Sequence, residues 1–309
     1  MLKKLYDFHY DKKAFYEKFP SIHMLISLGG ILLWVFAFKS SVLDANHIPS
    51  GSMIPTLKIG DLLFVNKMRY SFHIPFTDIR LFNIDTPKRG DIVTFTPPKE
   101  ILPNGELRER RELEGKTLVK RIVGIPHDKL TVKDNRIFIQ DIPYPIVLIT
   151  DSKERNVLND LDYKHRKEDL DLFYEQVINP ETKQLIVKHF VMMFKMDDFE
   201  YSAMTSSELR NPGHSFEIPE GKYLMMGDNR DDSSDSRVFG LVNAEDIHGK
   251  VFMSYFSVNW GDNLSYRSMF SDSNRGTWLD NPIFKFVRAI FSSDSAAYIR
   301  WNRVGKRIY

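Results

Sequence analysis

The sequence predicts a mostly β protein: an N-terminal transmembrane helix, then a β-rich, barrel-like domain that a charged insert interrupts. Three observations carry that expectation. Ile22–Phe38 reads IHMLISLGGILLWVFAF, 17 residues in which only His23 interrupts apolar and small side chains. From Leu57 onward, apolar stretches of strand length, rich in β-branched and aromatic residues, alternate with Gly-Asp, Pro and Asn punctuation. Between Lys153 and Asp171, eleven of nineteen residues are charged and of mixed sign, the pattern of a solvated helix or loop.

The apolar run comes first. At ~1.5 Å rise per residue it covers roughly 25 Å, near the lower limit for a bilayer core. Trp34 and Tyr16 suit the two interfaces. Lys3, Lys4, Lys12, Lys13 and Lys18 precede it, and only Lys39 and Lys58 follow before Asp61. The positive-inside rule therefore assigns residues 1–21 to the cytoplasm, 22–38 to the membrane and the remainder to the outer side. Two alternatives stand beside the anchor. A cleaved signal peptide has a shorter apolar core and an A-x-A-like site, for which Lys39-Ser40-Ser41-Val42 is a poor match. A buried core helix is the other.

Strands are expected at LLFV after Gly60-Asp61, IVTF after Gly90-Asp91, Leu118–Ile125, Arg136–Ile139, Leu185–Phe194, Tyr223–Met226 and Lys250–Val258. Many short strands of this kind read as a barrel or a multi-sheet arrangement. Pro97–Lys116 is a second polar excursion, read like 153–171 as surface helix or loop. Composition then narrows the chemistry. The 309 residues are 42% hydrophobic, which excludes a disordered or low-complexity chain. A net charge of +2 gives no basic field for nucleic acid. With no cysteine, thiol nucleophiles, disulfides and cysteine-based metal sites are excluded.

Three constellations carry chemistry. In Ile48-Pro49-Ser50-Gly51-Ser52-Met53-Ile54-Pro55, two prolines stiffen a Gly-containing loop. Ser50 and Ser52 share a face if the chain there is extended, which suits a nucleophile beside an oxyanion donor; an ordinary turn has the same composition. Ser52 lies within ~46 Å of Phe38 at ~3.3 Å per residue, so the loop stays near the bilayer. In Leu118–Ile125, Lys120 and Arg121 are adjacent cations in an apolar strand. Burial would lower the lysine pKa toward the range of a general base; the alternative is an edge strand that shows one cation to solvent. Gly227–Arg237 mixes acids with arginines, as an ion-pair network that holds loops does. An EF-hand calcium loop fails there, because Phe239 or Val242 would stand where Glu is needed. A different calcium geometry stays open.

Together SGSMIPTLKIGD (Ser50–Asp61), GDIVTF (Gly90–Phe95), KRIVGIPHD (Lys120–Asp128) and GDNRDDSSDSRVFGLV (Gly227–Val242), in this order behind an apolar helix, resemble the type I signal peptidases, or leader peptidases. The resemblance implies a Ser–Lys serine endopeptidase that removes signal peptides after small residues through an acyl-enzyme. It implies Ser52 as nucleophile, Lys120 as general base and Ser50 as the oxyanion-hole hydroxyl. By the same likeness Ser233 hydrogen-bonds and orients the lysine, Asp235 and Arg237 form a supporting salt bridge, and Ile48 and Val119 line the pockets for small residues. No metal and no cofactor are implied. The implied partners are signal peptides of exported precursors, the phospholipid membrane and the neighbouring export machinery, with no nucleic acid. The implied location is the cell (inner, cytoplasmic) membrane. Residues 39–133 and 220–282 then read as the catalytic β-domain and 134–219 as an inserted accessory region. One departure is His127, where the family usually has Gly after the Pro of VG-x-P-G-D.

Residues 283–309 read as a basic amphipathic segment. Phe284, Phe286, Val287, Ile290 and Phe291 mix with Lys285 and Arg288, and Arg300, Arg303, Lys306 and Arg307 follow. A helix on anionic lipid and a helix packed on the barrel are both open. Rival functions are an inactive membrane-tethered β-domain used for binding, a Ser–Lys peptidase with one dedicated substrate, and a self-cleaving repressor-type protein. The last lacks a helix-turn-helix before the serine.

Overall fold

The computed structural model describes residues 19–259 and 298–308, except 78, 102–106, 109–112, 134–135, 140–141, 144–145, 159–168, 180–181 and 195–214. The N-terminal lysines, the amphipathic stretch 283–291 and parts of both polar excursions therefore lie outside the described residues.

Helix α1, Pro20–Ser41, carries proline in its first turn, where the missing N–H costs nothing. It runs longer than the expected 22–38. Ser41 is its only buried residue. Its most apolar stretch has mean hydropathy 2.0 and no buried residue, so the reading as a buried core helix does not hold. A helix apolar all round and uncovered by protein is long enough to cross a membrane.

Strand β1 (Leu43–His47) starts two residues beyond α1 and pairs antiparallel with β2 (Asp61–Asn66). The loop between them carries Ser50 and Ser52. A hairpin of β3 (Ser71–His73) and β4 (Arg80–Asn83) follows, with Phe72 stacked on Phe82 at 5.6 Å. Its tip is tied to the end of α1, where Phe76 N donates to Ser40 Oγ at 2.8 Å. Then come β5 (Ile92–Phe95), β6 (Glu100–Ile101), β7 (Leu107–Arg108) and β8 (Leu118–Gly124). The β6–β7 ladder lies inside the excursion expected to be helix or loop.

Strand β9 (Lys129–Lys133) follows, and the stretch expected as the insert, 134–219, holds β10 (Arg136–Ile139), β11 (Ile142–Pro143), β12 (Ile146–Leu148), the short helix α2 (Ser152–Arg155), β13 (Leu170–Ile178), β14 (Leu185–Phe194) and β15 (Ser215–Glu217). These strands make two sheets of their own, β11-β10-β9-β15 and β12-β13-β14. The charged run 153–171 thus begins in a short surface helix and ends in a strand. Leu158 and Leu170 within it are buried.

The chain returns as β16 (Lys222–Met226), helix α3 (Ser236–Phe239), β17 (Val242–Asn243), β18 (Ile247–Asn259), β19 (Tyr298–Ile299) and β20 (Lys306–Arg307). The main sheet has the order β1-β2-β18-β5-β8-β16-β17, with β19 and β20 also on β18. The thirteen residues of β18 serve both β2 and β5 through three register shifts. Bulges bend a strand and increase its twist, which curls the sheet. At Gly249 a Cβ would meet Asn66 O at 2.5 Å, so this bulge admits only glycine. Alternate residues of β16 feed opposite faces: Tyr223 and Met225 join Val93, Phe95 and Ile122, whereas Leu224 and Met226 join Val123 and Leu130.

Of the segment 283–309, residues 298–308 are described, and two of its arginines turn inward. Arg300 and Arg303 are buried, as is Ile308. Arg300 Nη1 donates to Ile59 O at 2.8 Å, and Arg303 Nε donates to Asp61 Oδ1 at 2.9 Å. Lys306 and Arg307 are exposed.

Candidate active site

Strand β8 is interior to the sheet, not an edge. Val93 of β5 lies opposite Lys120, and Arg121 lies between Ile92 of β5 and Met226 of β16. Both cations are buried, Lys120 at 3% exposure and Arg121 at 0%. Neighbouring cations at such a place need separate accommodation. Arg121 receives a carboxylate: its Nε and Nη2 donate to Asp228 Oδ1 and Oδ2 at 2.9 and 2.7 Å. Lys120 receives none in contact. Its Nζ donates to Ser52 Oγ at 2.7 Å and to Val119 O at 3.2 Å.

Burial pushes the Lys120 pKa down to about 8. The Asp235 carboxylate works against that shift, while the Arg237 guanidinium adds to it. Desolvation wins because the charged form loses its water and gains no direct anion. A lysine near 8 is neutral in a useful fraction of molecules around neutral pH, and a neutral amine accepts a proton from a hydroxyl 2.7 Å away.

Ser52 sits half-buried in a succession of turns, with Ile54 N donating to Gly51 O at 3.1 Å and Leu57 N to Met53 O at 2.9 Å. The loop is not extended, so the alternation argument for Ser50 does not apply. Ser50 is exposed, two residues before Ser52 in the same loop. Met53 and Leu57 anchor the loop in a cluster with Ile48, Leu63, Val65 and Ile92, against which Val119 packs. Ile48 therefore belongs to, and Val119 packs against, the same apolar cluster that anchors the serine loop.

The 227–237 run closes the site from the other side. Asn229 N donates to Ser52 O and Asn229 Nδ2 to Gly51 O, both at 3.1 Å. Asp235 caps α3 and accepts from Gly227 N at 3.0 Å. Arg237 Nε and Nη2 grip Asp235 at 2.8 Å each. The expected Asp235–Arg237 bridge is therefore present. Asp228 and Asp235 are committed to arginines, which leaves them poor calcium ligands, and among the described residues no group of three His, Asp or Glu side chains is arranged to hold a metal ion. The expected Ser233–Lys120 hydrogen bond is not formed: Ser233 Oγ is buried without a partner. It packs instead against Gly227, where an added Cβ would lie 2.2 Å from it and 2.4 Å from Ser52 O.

Sequence reasoning missed the partner of Arg121, the grip of Asn229 on the serine loop, and Glu175 and His189 from the insert. The available signal was a second buried cation, which demands a buried acid somewhere in the chain. His127, the visible departure from the family pattern, stands at φ 68°. That conformation favours glycine, which explains the usual residue there.

A family model described as signal peptidase, peptidase S26, matches residues 21–256. The Signal peptidase I of Pseudomonas fluorescens is 30% identical over 256 residues, which cover 78% of this chain and 76% of its own length. That of Buchnera aphidicola subsp. Schizaphis graminum is 28% identical over 271 residues, 82% and 78% of the two chains. That of Aquifex aeolicus is 30% identical over 245 residues, 75% and 83%.

Proposed function

We propose, for a chain that belongs to the signal peptidase family, peptidase S26, a membrane-anchored serine endopeptidase that cleaves signal peptides from exported precursors by a Ser52–Lys120 dyad. The observation that carries this reading is the 2.7 Å contact between Ser52 Oγ and a buried Lys120 Nζ whose pKa is drawn down to about 8.

Neutral Lys120 takes the proton of Ser52 as Oγ attacks the scissile carbonyl. The tetrahedral oxyanion is held by the Ser50 hydroxyl and the Ser52 backbone N–H. Its collapse leaves an acyl-Ser52, and Lys120 returns the proton to the departing amine. A water that gives its proton to the same lysine then releases the mature protein. Ile48 and Val119, which share the apolar cluster under the serine loop, favour small side chains at the first and third positions before the cut. The chemistry needs neither metal nor cofactor.

Helix α1 is the anchor, with residues 1–21 cytoplasmic and the sheet on the outer face of the cytoplasmic membrane. Support comes from the short connection: β1 starts two residues after α1, and Lys67 Nζ donates back to Ser40 O at 3.1 Å. On this reading the serine loop works close to the bilayer, where a precursor emerges beside the export machinery.

The test is cleavage of a precursor with A-x-A before the cut by the full chain and by Ser52→Ala and Lys120→Ala. Both variants are expected to be inactive. Normal processing by either one removes the mechanism, whereas no cleavage by the full chain itself leaves a tethered β-domain as the better reading.

A further inference from the structure

We infer that the inserted sheet β12-β13-β14 is a positioning element for the reaction, and that Glu175 on β13 is its positioning residue, acting on Ser52 through Arg230 and Asn229. This rests on the reading of Ser52 as the nucleophile.

The insert touches the serine loop in two ways. The first is apolar. Ile54, two residues after Ser52, is completely buried in a cluster made otherwise by insert residues, among them Ile149, Leu170, Leu172 and Met192. The second is polar. The backbone of Met192 on β14 brackets Asn229, accepting from Arg230 N at 2.9 Å and donating to Asp228 O at 2.8 Å. Held from that side, Asn229 donates its two bonds to Gly51 O and Ser52 O on the other. Three layers of chain therefore stack: insert strand, 228–230 segment, serine loop.

Glu175 fixes the middle layer. Its Oε1 accepts from Arg230 Nη1 at 2.7 Å, and its Oε2 is in close contact with Arg230 Nη2. Arg230 Nε in turn donates to Gly227 O at 3.1 Å, the glycine that packs on the Ser52 carbonyl. Glu175 and Arg230 are 1% and 4% exposed. At that burial a charge-assisted, two-pronged pair has one good geometry, and losing either member leaves a desolvated charge. His189 on β14 stands 3.0 Å from Glu175 Oε2 and 3.8 Å from Asp228 Oδ1. Burial keeps its imidazole toward the neutral form, so two arginines balance two carboxylates.

The reaction requires an Oγ held to within a fraction of an ångström of its line of attack, and small misplacement costs rate rather than affinity. The insert cluster around Ile54 shares no member with the cluster that holds Ile48 and carries Val119. Loss of the network should therefore lower kcat and spare KM.

The experiment compares the full chain with Glu175→Gln and Glu175→Asp in detergent micelles, using a synthetic peptide with Ala at the first and third positions before the cut. Expected is a kcat lower by about tenfold to 100-fold for Glu175→Gln, with KM within about twofold. The pH midpoint of kcat/KM should stay in place, because Lys120 is untouched. Glu175→Asp keeps the charge and should recover part of the loss. If Glu175→Gln does not fold, Glu175→Asp is judged by the same split between kcat and KM. A folded variant with kcat unchanged overturns the inference, as does a loss that appears in KM or only in step with unfolding. Ser52→Ala runs alongside: persistent cleavage there removes the serine reading itself, whereas an inactive Ser52→Ala beside a fully active Glu175→Gln removes only the role of the insert.

Discussion

Lys120 Nζ and Ser52 Oγ are 2.7 Å apart across 68 positions of sequence, and no carboxylate contacts the lysine. The amine must be neutral to accept the serine proton, and its pKa is about 8. Activity should therefore climb as pH rises through about 8 and level off above it, with kcat/KM falling about tenfold per pH unit on the acid side. A rate flat from pH ~6 to ~9, with chemistry rate-limiting, would contradict a base of this kind.

The same burial makes a stability prediction. The folded pKa lies below the unfolded value of 10.5, so the folded chain binds fewer protons between the two. Stability should rise with pH through that window, and below about 8 the full penalty applies. Lys120→Met keeps the bulk and removes the penalty. It should be inactive yet more stable at pH 7 by about 3 kcal/mol. Urea unfolding at pH 7 and at pH 10 checks both the gain and its shrinkage.

Gly227 is the tightest point of the site. A methyl there would lie 2.4 Å from a backbone oxygen, Ser52 O, as well as against Ser233. The backbone cannot swing aside as a long side chain can. Gly227→Ala should cost about 1–3 kcal/mol and should displace the serine, so that kcat falls more than stability alone requires. Steady-state kinetics well below the unfolding temperature separate the two effects.

Much of this is legible in the sequence, and the reasons differ by element. The strands Arg136–Ile139 and Leu185–Phe194 stand where the apolar runs end in polar punctuation, because local pattern and tertiary environment agree there. The serine and lysine were visible only through the joint occurrence of four blocks, since Ser-Gly-Ser alone is an ordinary turn. Periodicity could not decide between Lys120 and Arg121, and both proved buried. Each faces a covered side of an interior strand, and the acid that makes Arg121 tolerable comes from 107 residues away. The burial of Arg300 and Arg303 was illegible for the same reason: their partners are carbonyls and Asp61 in the opposite part of the chain.

His127 offers a pH-dependent comparison. Its imidazole lies 3.0 Å from Glu217 and 2.8 Å from Glu220, which raise its pKa. It therefore adds stability below its unfolded value near 6.5 and loses that contribution as pH rises through the higher folded value. Its φ of 68° is a strain at every pH. His127→Gly relieves the strain and loses the ion pairs. The variant should gain on wild type as pH rises from 5 to 9, and thermal unfolding midpoints across that range give the difference.

Asp61 and Arg303 join the two ends of the fold. Arg303 grips the carboxylate through Nε and Nη2 and also donates to Thr56 O on the serine loop at 2.9 Å. Asp61 further accepts from Ser257 Oγ at 2.6 Å and Lys58 N at 2.9 Å. Both charges are buried, so removing one strands the other without water. Arg303→Met and Asp61→Asn should each cost about 3–5 kcal/mol, because the remaining partner is left uncompensated. The double variant removes both charges and should cost less than the sum of the two. Additivity in urea unfolding would mean that the pair is not coupled. Because Thr56 O follows Arg303, the single Arg303→Met should also slow cleavage under conditions where the variant is fully folded.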